Sequence, residues 1–278
     1  MSSAQPQPQP CSQPRSRPQP PPCPPPHELL AGRSVVVTAA AGSGIGGATA
    51  RRALEEGAAG VVLGDVHERR LAETGEALAR EFGDERVGTV RCDVTAEADV
   101  RALLAACTAR HGRIDVLVNN AGLGGTAELT EMTDEQWSRV LDVTLNGTFR
   151  CTRAGLRTMR EQPGGGVIVN NASVVGWRAQ RGQAHYAAAK AGVMALTRCA
   201  ALEAADHGVR INAVSPSLAM HPHLAKVTTP ELLAELTARE AFGRYAEPWE
   251  VANVIVFLAS DYSSYMTGET VAVSSQHP

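Results

Sequence analysis

From residue 33 to the C-terminus, short segments rich in β-branched residues alternate with longer amphipathic segments. Strands and helices that alternate in this way are joined by right-handed crossovers, which build a parallel sheet with helices on both faces. The pattern therefore predicts an α/β, doubly wound fold with seven strands. The predicted strands are 34–38, 60–65, 87–92, 114–119, 166–171, 209–214 and 269–273. The predicted helices are 44–57, 67–82, 96–111, 133–162, 185–206 and 247–259.

The length of the chain predicts one folded domain, which we place at residues 28–278. The chain has 278 residues, of which 44% are hydrophobic and 20% are charged, and these suffice for the core of one large domain. The first 26 residues contain eleven of the seventeen prolines, interleaved with Gln and Ser. Such a segment cannot bury enough apolar surface to fold, and it lacks the apolar core of a secretory signal, so we predict a disordered tail at 1–27.

Composition excludes several classes of function. The net charge of −3 and a pI near 6.3 provide no basic face for nucleic acid or for an anionic membrane. No apolar run approaches the ~18 residues of a membrane span. The cysteines are Cys11, Cys23, Cys92, Cys107, Cys151 and Cys199. They form no C-x-x-C pair and no zinc spacing with His, so we expect no metal and a cytoplasmic protein with reduced thiols. The four in the predicted domain lie in apolar sequence and are expected to be structural.

The loop after the first predicted strand is rich in glycine and leads directly into the first helix. Glycines let the backbone turn tightly and approach a pyrophosphate, and the free amides of a helix N-terminus attract its charge. A glycine cluster also occurs in turns that bind nothing, but its place between a strand and a helix indicates nucleotide binding. The loop residues expected to contact the nucleotide are Gly42, Ser43, Gly44, Ile45 and Gly46.

Asp65 ends the second predicted strand, nineteen residues after Gly46. A carboxylate at this position accepts hydrogen bonds from an adenosine ribose and repels the 2′-phosphate of NADP, so it favours NAD. Arg69 and Arg70 follow on the next helix. They fit a solvated helix face, but they leave NADP open as an alternative.

Two further loops follow predicted strands at the edge where sheets of this kind bind ligands. Asp93 and Val94 follow the third strand, and Asp93 is expected to accept a hydrogen bond from the adenine amino group. The corner after the fourth strand consists of Asn120, Ala121 and Gly122. Its small residues would let a cofactor lie against the backbone. For Asn119, just before this corner, hydrogen bonding at the strand end is an equal alternative.

Tyr186 and Lys190 are four residues apart on an alanine-rich predicted helix. This spacing puts both side chains on one face, where the ammonium would move the pKa of the tyrosine from about 10 toward neutrality and make it a general acid or base. An ordinary surface pair is the alternative. The chain has only two lysines, Lys190 and Lys226, against four tyrosines, so the spacing arises by chance at a frequency of about 0.03. Ser173 ends the fifth strand and can share one carbonyl with Tyr186.

The glycine-rich loop, Asp65, the Asn-Asn-Ala-Gly corner, Ser173 and the Tyr-Ala-Ala-Ala-Lys segment resemble, in order and spacing, the short-chain dehydrogenase/reductase family. The likeness runs from about residue 33 to the C-terminus. It implies a Rossmann fold and hydride transfer between nicotinamide and a secondary alcohol or ketone. It also implies a dimer or tetramer assembled through the helices near 133–162 and 185–206.

The same resemblance implies a role for each catalytic side chain. Tyr186 exchanges a proton with the substrate oxygen, and Ser173 orients and polarises that oxygen. Lys190 lowers the pKa of the tyrosine and donates a hydrogen bond to the nicotinamide ribose. We therefore expect both Tyr186 and Lys190 to contact the cofactor as well as to support catalysis.

The chain departs from the family pattern in the nucleotide loop and in the proton relay. Ala40 stands where the family has its first glycine, and one residue is added before the loop, which predicts a reshaped strand exit. Thr144 aligns with the asparagine that normally completes a water relay behind the lysine. Its hydroxyl can hold a water, and we include it among the catalytic candidates. Asn146, two positions later, is expected to face elsewhere.

A further departure follows the sixth predicted strand. The family's usual Pro-Gly is Pro216-Ser217 here, and the threonine expected soon after it is replaced by His221. Pro216 and Ser217 are still expected to contact the nicotinamide end of the cofactor.

Several other segments resemble one actinobacterial branch of the family. They are 170–173 (Asn-Asn-Ala-Ser), 176–180 (Gly-Trp-Arg-Ala-Gln), 215–217 (Ser-Pro-Ser), 246–250 (Ala-Glu-Pro-Trp-Glu) and 275–278 (Ser-Gln-His-Pro). That likeness implies NAD-dependent oxidation of a hydroxy-methyl-oxo-hydrindane propanoyl-CoA, a bicyclic CoA thioester of steroid C/D-ring degradation. A substrate lid is expected at 218–245. Its candidate pocket residues are Met220, Leu224, Leu232, Leu233 and Leu236. A helix that packs on its own domain is an equal alternative.

Two other functions remain open from the sequence. A 3-oxoacyl-thioester reductase, acting on an acyl carrier protein or CoA ester, shares the same Ser-Tyr-Lys set, but Asp65 argues against the NADPH that normally drives such reductions. A nucleotide-sensing protein without turnover is the second alternative. The complete set of Ser173, Tyr186 and Lys190 argues against it, and only Thr144 favours it.

Overall fold

The computed structural model describes residues 19–220 and 230–275, with the side chains of 230–232 left aside. Most of the predicted tail therefore lies outside the described residues. So do His221, Leu224 and Lys226 of the predicted lid region.

The described chain contains strands and helices in strict alternation over most of its length. The strands are β1 Ser34–Thr38, β2 Gly60–Asp65, β3 Val87–Arg91, β4 Val116–Asn119, β5 Gly166–Asn171, β6 Val209–Pro216 and β7 Thr270–Val273. The helices are α1 Ile45–Glu55, α2 Glu68–Phe82, α3 Glu97–His111, α4 Asp134–Leu141, α5 Gly147–Met159, α6 Ala184–Ala205, α7 Pro230–Arg239 and α8 Pro248–Ala259.

These strands form one sheet in the order β3-β2-β1-β4-β5-β6-β7, and every pairing is parallel. The first three strands are added toward one edge of the sheet, and β4 then starts on the other side of β1. The boundary between β1 and β4 is therefore the switch point where doubly wound sheets bind ligands. The predicted seven-stranded, doubly wound fold is confirmed. Because all strands are parallel, their carboxyl ends meet at one edge, and the predicted site residues follow those ends.

Helices cover both faces of the sheet, so the strands are hydrophobic on both sides. All five residues of β1 are buried. Val35 and Val37 face the core shared with α1, α2 and α8, whereas Val36 faces the core shared with α3, α5 and α6. This two-sided burial is the reason that the strands read as continuous apolar runs rather than as an alternation.

The long helix predicted at 133–162 is interrupted. A capping box of Thr133 and Gln136 starts α4, a π-helical segment occupies Asp142–Asn146, and α5 continues from Gly147. A π-turn inserts an extra residue into the helix and often marks a functional site. The interruption places Thr144, which lies in its middle, against the loop after β4.

The predicted lid region contains α7, a helix that the sequence pattern did not separate from the surrounding loop. Its Leu233 and Leu236 are partly buried, as is Met220 before it, while the side chain of Leu232 is outside the description. Pro230 stands at the start of α7, where a proline is favoured because the first amide needs no partner. A lid that lines a substrate pocket stays a prediction.

The end of the proline-rich segment is attached to the domain, contrary to the expectation of a free tail up to residue 27. Arg52 of α1 donates to the carbonyls of Pro24 and Pro25 at 2.8 and 3.2 Å. The backbone amide of His27 donates to Glu56 at 2.8 Å, and Arg52 and Glu56 form a buried ion pair at 2.5 Å. Pro24 and Pro25 therefore contact α1, His27 contacts the residue that follows it, and all three supply backbone partners to this buried charge pair.

The thiols fall into two groups. Cys92, Cys107 and Cys151 are buried, as expected, and burial raises the pKa of Cys92 and Cys107 to about 12 and that of Cys151 further. Cys199 is exposed on α6, which corrects the expectation that it is structural. Its position on a helix face, rather than its local sequence, determines its exposure.

Within residues 19–220 and 230–275, no group of His, Cys, Asp or Glu side chains is arranged to hold a metal ion. No helix in the described part of the chain has the length and apolar character needed to cross a membrane.

Candidate active site

Three elements bring Ser173, Tyr186 and Lys190 together. Ser173 follows β5 and caps the short 3₁₀ turn Val174–Gly176, whose second residue donates its amide to the Ser173 hydroxyl at 3.3 Å. Tyr186 and Lys190 lie in the first two turns of α6. The turn packs closely on α6. The closeness is seen at Gly176, where a Cβ would lie only 2.7 Å from the side chain of Met194 on that helix. This approach brings the Ser173 hydroxyl close enough to the Tyr186 phenol to influence its pKa.

The electrostatics of the pair differ from the sequence-based expectation. Burial raises the pKa of Tyr186 above its usual value, and the nearby Ser173 hydroxyl opposes that rise without overcoming it. Burial lowers the pKa of Lys190 to about 7. The expected shift of the tyrosine toward neutrality is therefore wrong for this arrangement. Lys190 is buried and Tyr186 is half-buried, and desolvation favours the neutral form of each.

Lys190 is held by the backbone rather than by another side chain. It is 3% exposed, and its ammonium donates to the carbonyl oxygen of Asn171 at the end of β5. The nitrogen lies 5.6 Å from the centre of the Tyr186 ring. A Cβ at Gly122 would lie 3.3 Å from this nitrogen, so the absence of a side chain at Gly122 leaves the lysine open to the loop after β4.

Thr144 is part of the same cluster, but its hydroxyl is engaged. The oxygen accepts from the amide of Leu123 at 2.9 Å and donates to the carbonyl of Leu123 at 3.1 Å. A hydroxyl has one proton, so Thr144 can accept a further hydrogen bond but has none left to donate. A relay that needs Thr144 as a donor is therefore not supported. Asn146 is exposed and donates to Asp142, so it faces elsewhere, as expected.

The glycine-rich loop has the features of an anion cradle. The N-terminus of α1 starts after Gly44 with no side-chain cap and no acidic residue in its first turn. Gly42 has φ of 86°, and Ser43 beside it is exposed. A Cβ at Gly46 would lie 2.3 Å from the carbonyl oxygen of Ala39. Uncapped helix amides with no acidic residue in the first turn fit a phosphate group.

The residue added before the loop is accommodated by a left-handed turn. Ala39 has φ of 50°, and the amide of Ala40 returns to the sheet by donating to Gly64 at 3.1 Å. The predicted reshaping of the strand exit is thus located at Ala39, next to the residue that replaces the usual glycine.

Asp65 fixes the glycine-rich loop as well as ending β2. Its two carboxylate oxygens accept from the amide of Ala41 at 3.0 Å and from that of His67 at 2.9 Å. The side chain is buried, and each oxygen keeps a lone pair for a ribose hydroxyl. Arg69 is exposed and pairs with Glu73 on its own helix, which agrees with a solvated helix face.

The loop after β3 is held by local hydrogen bonds. One oxygen of Asp93 accepts from the amide and the hydroxyl of Thr95, and these bonds lower the pKa of Asp93. Its other oxygen is the one available to an adenine amino group. Val94 is buried against Gly147, so Val94 supports the loop by packing.

The asparagines after β4 serve the scaffold. The side chain of Asn120 donates to the carbonyls of Thr38 and Ala39 at 3.2 and 3.0 Å and accepts from Asn171 at 2.8 Å. The amide of Ala121 donates to the Thr38 hydroxyl at 3.1 Å. A cofactor contact at this corner is therefore limited to the backbone and to Gly122.

Asn119 belongs to a second buried network that the sequence analysis did not identify. Its amide donates to Thr152 at 3.1 Å and to Asn170 at 2.9 Å, and Asn170 donates to Thr197 at 2.9 Å. Asn119 and Asn170 are paired in the sheet register. Two Asn-Asn pairs at the ends of adjacent predicted strands were the signal that could have revealed these networks.

Pro216 and Ser217 lie at the end of β6, beside β5 and β7. Pro216 is buried. The hydroxyl of Ser217 donates to the buried carboxylate of Glu240 at 3.2 Å, and Ser275 donates to the same oxygen at 2.8 Å. Glu240 thus ties the segment after α7 to the end of β6, a contact that no local sequence pattern predicted.

Comparisons with known proteins agree with this geometry. Residues 39–275 match the family described as enoyl-(acyl carrier protein) reductase. The chain is 66% identical, over 252 residues, to the (5R,7aS)-5-hydroxy-7a-methyl-1-oxo-2,3,5,6,7,7a-hexahydro-1H-indene-carboxyl-CoA reductase of Mycobacterium tuberculosis, covering 91% of this chain and 95% of that protein. It is 45% identical to the cis-4-hydroxycyclohexanecarboxylate dehydrogenase of Sinomonas cyclohexanicum, covering 88% of this chain and 96% of that protein.

A solved structure is also closely similar. It is the crystal structure of a short chain dehydrogenase from Mycobacterium smegmatis, with a TM-score of 0.83 and 59% identity, covering 94% of this chain and 99% of that one. Fold, site geometry and identity over most of the sequence lead to one conclusion. The chain belongs to the short-chain dehydrogenase/reductase family and is an oxidoreductase acting on hydroxyl or ketone groups.

Proposed function

We propose that this oxidoreductase uses NAD and interconverts a secondary alcohol and a ketone on a bicyclic, steroid-derived acyl-CoA. The single observation that supports the reaction type best is that Ser173 and Tyr186 lie together beside the buried Lys190. The substrate class is supported by the name of the 66% identical relative, a hexahydroindene carboxyl-CoA reductase.

The residues present fit a nicotinamide dinucleotide. The uncapped N-terminus of α1 and the close backbone approach at Gly46 suit a pyrophosphate. Asp65 ends β2 with a carboxylate directed at the loop, which suits a ribose with free hydroxyls and disfavours a 2′-phosphate. When bound, the nicotinamide would supply or accept the hydride.

The protonation state of Tyr186 favours proton donation. Its raised pKa keeps the phenol protonated at neutral pH, which is the form that can protonate a ketone oxygen as that oxygen gains electron density. Ser173, close to the same phenol, would donate to the substrate oxygen and orient it. Lys190 would stabilise the phenolate that remains, in the fraction of molecules where its own amine is protonated.

The two named relatives share a substrate feature. Both names describe a hydroxyl group on a six-membered carbocycle in a molecule that also carries a carboxyl group, free in one case and a CoA thioester in the other. We propose the same feature for this chain. The relative's name carries the thioester as a carboxyl-CoA, so we expect this group in place of the propanoyl-CoA inferred from sequence.

We further propose a homo-oligomer, a dimer or tetramer, in a cytoplasmic setting. Trp137 of α4, Phe149 of α5 and Leu202 of α6 are large apolar side chains exposed on the helices expected to form the interface. Burying them against a second copy would remove apolar surface from water.

The test is a cofactor and substrate panel with purified full-length protein. Formation of NADH is followed with a hydroxy-hexahydroindene carboxyl-CoA, straight-chain 3-hydroxyacyl-CoAs and cis-4-hydroxycyclohexanecarboxylate, and each is repeated with NADP. Preference for the bicyclic thioester with NAD is expected. Activity with straight-chain thioesters alone would replace the substrate by that of a 3-oxoacyl-thioester reductase, and no turnover with either cofactor would contradict the proposal.

A further inference from the structure

Three successive hydrogen bonds join the lysine of the active site to the exit of β1. Lys190 donates to the backbone carbonyl of Asn171. The side-chain amide of Asn171 donates to Asn120 at 2.8 Å. Asn120 in turn donates to the carbonyls of Thr38 and Ala39 at 3.2 and 3.0 Å. The series crosses the carboxyl ends of β5, β4 and β1.

The last bond of this series lies against the glycine-rich loop. The carbonyl oxygen of Ala39 faces Gly46 so closely that a Cβ there would lie 2.3 Å away, and the same Cβ would lie 2.6 Å from the amide nitrogen of Asn120. Backbone atoms in such close contact cannot move independently. A change in the loop on nucleotide binding must therefore move Ala39 and Asn120 or break their hydrogen bond.

Packing alone does not account for a buried asparagine at position 171. It is 8% exposed, and its side-chain oxygen has no hydrogen-bond partner among the described residues. A buried amide with an unsatisfied oxygen costs stability, which an apolar side chain of similar size would avoid. The amide is instead directed at Asn120, while the backbone of the same residue holds Lys190.

We infer that Asn171 is a positioning residue that couples the glycine-rich loop to Lys190, so that a nucleotide in the loop changes the surroundings of the lysine without touching it. The inference rests on the proposed nucleotide site. It assigns Asn171 a role distinct from that of Ser173 or Tyr186, because Asn171 acts through two other residues.

The neighbouring network offers a matched control. A second set of residues is also buried and hydrogen-bonded, but the hydrogen bonds that link its members do not reach Lys190 or Ala39. The set consists of Asn119, Asn170, Thr152 and Thr197. Thr152→Val removes one hydroxyl from that network with little change in shape. It perturbs a buried hydrogen-bond network of the same kind while leaving the coupling intact.

The scarcity of lysine makes the coupling directly observable. Lys190 and Lys226 are the two lysines of the chain, so full-length Lys226→Arg protein labelled with ¹³C-lysine has one side-chain signal, from Lys190. ADP is the probe. It carries the adenosine and pyrophosphate of the dinucleotide but no nicotinamide ribose, so it can occupy the loop without reaching the lysine. Calorimetry measures ADP binding independently of any activity.

Saturating ADP is expected to move the Lys190 signal and to change its ionisation constant at least about twofold. Asn171→Leu should bind ADP but lose this response, whereas Thr152→Val should keep it. ADP binding without movement of the signal, or equal movement in Asn171→Leu, would overturn the inference.

If Asn171→Leu does not fold, Asn120→Asp is the second test. It breaks the hydrogen bond from Asn120 to Ala39, because a carboxylate can accept from Asn171 but cannot donate to Ala39. A response that persists in Asn120→Asp overturns the coupling. Absence of ADP binding to the unsubstituted protein would contradict the nucleotide site, and with it both proposals, whereas binding without coupling contradicts the inference alone.

Discussion

The ammonium nitrogen of Lys190 lies 5.6 Å from the centre of the Tyr186 ring. The helical spacing of four residues puts the two side chains on one face of α6. Burial then lowers the pKa of the lysine to about 7 and raises that of the tyrosine. The pair therefore favours neutral phenol and, above neutral pH, neutral amine, which suits proton donation to a ketone.

Tyr186→Phe should abolish turnover and leave NAD binding nearly unchanged. The substitution removes the phenol hydroxyl, which is the proton donor beside Ser173, but the ring remains. We expect kcat to fall at least about 1000-fold and the Kd for NAD to change less than about threefold. Steady-state kinetics and calorimetry check this. Tyr262→Phe, at an exposed position, is the control, and normal turnover in Tyr186→Phe would exclude this residue from the mechanism.

Asp65→Ala should relax the preference for NAD over NADP. The change removes a carboxylate that would repel a 2′-phosphate, and it also removes the acceptor for the amide of Ala41. We expect kcat/KM with NAD to fall roughly tenfold and the NAD/NADP ratio to fall by a similar factor. Asp93→Ala should weaken both cofactors equally. An unchanged ratio in Asp65→Ala would contradict the ribose contact.

Lys190 should make stability depend on pH between its folded and unfolded pKa values. Its pKa is about 7 in the fold and 10.5 when unperturbed, so the unfolded state binds more protons in this interval and stability rises with pH. Relative to Lys190→Met, the protein should gain about 2 kcal/mol between about pH 6.5 and about pH 8.5.

Urea unfolding of both proteins at the two pH values measures this difference. The buried thiols of Cys92 and Cys107 have pKa values raised to about 12, so they oppose the effect by destabilising the fold as pH rises above the ordinary thiol pKa. That contribution is common to both proteins and cancels. Parallel pH profiles for the two proteins would show that Lys190 keeps its charge in the fold.

Ala39→Gly should stabilise the protein. Ala39 has φ of 50°, a left-handed conformation that costs a residue with a Cβ about 1–2 kcal/mol. Glycine avoids this cost but makes the unfolded chain more flexible, so the net gain should be about 0.5–1 kcal/mol. Ala41→Gly, at a position without positive φ, should destabilise instead. Urea unfolding decides the matter, and a loss of stability in Ala39→Gly would contradict the argument.

Deletion of residues 2–26 should destabilise the domain, whereas deletion of residues 2–18 should not. The longer deletion removes the carbonyls of Pro24 and Pro25, which accept from Arg52. This leaves a buried guanidinium with fewer partners, at a cost of about 1–3 kcal/mol. Thermal unfolding compares the two proteins, and equal melting temperatures would show that the segment before residue 27 contributes nothing to the fold.

The sequence by itself determined the fold class, because strand and helix periodicity are local properties that each segment carries alone. It predicted β1, β2 and β5 with the bounds that the structure has. It also predicted Ser173, Tyr186 and Lys190 as catalytic candidates, from a spacing of four residues on a helix and a polar residue at a strand end, and the structure places the three together. The sequence did not predict the π-helical segment, the bounds of α7 within the predicted lid region, or the attachment of Pro24 and Pro25.

Tertiary structure decided the properties of the side chains that were identified. The pKa directions of Tyr186 and Lys190 follow from burial, which depends on segments distant in sequence. Likewise, only the folded structure shows that Thr144 donates a hydrogen bond to Leu123. It also shows that the carbonyl oxygen of Asn171 accepts a hydrogen bond from Lys190. Hydrogen-bond partners and desolvation arise only when separate strand ends meet at one edge of the sheet, so no local pattern contains them.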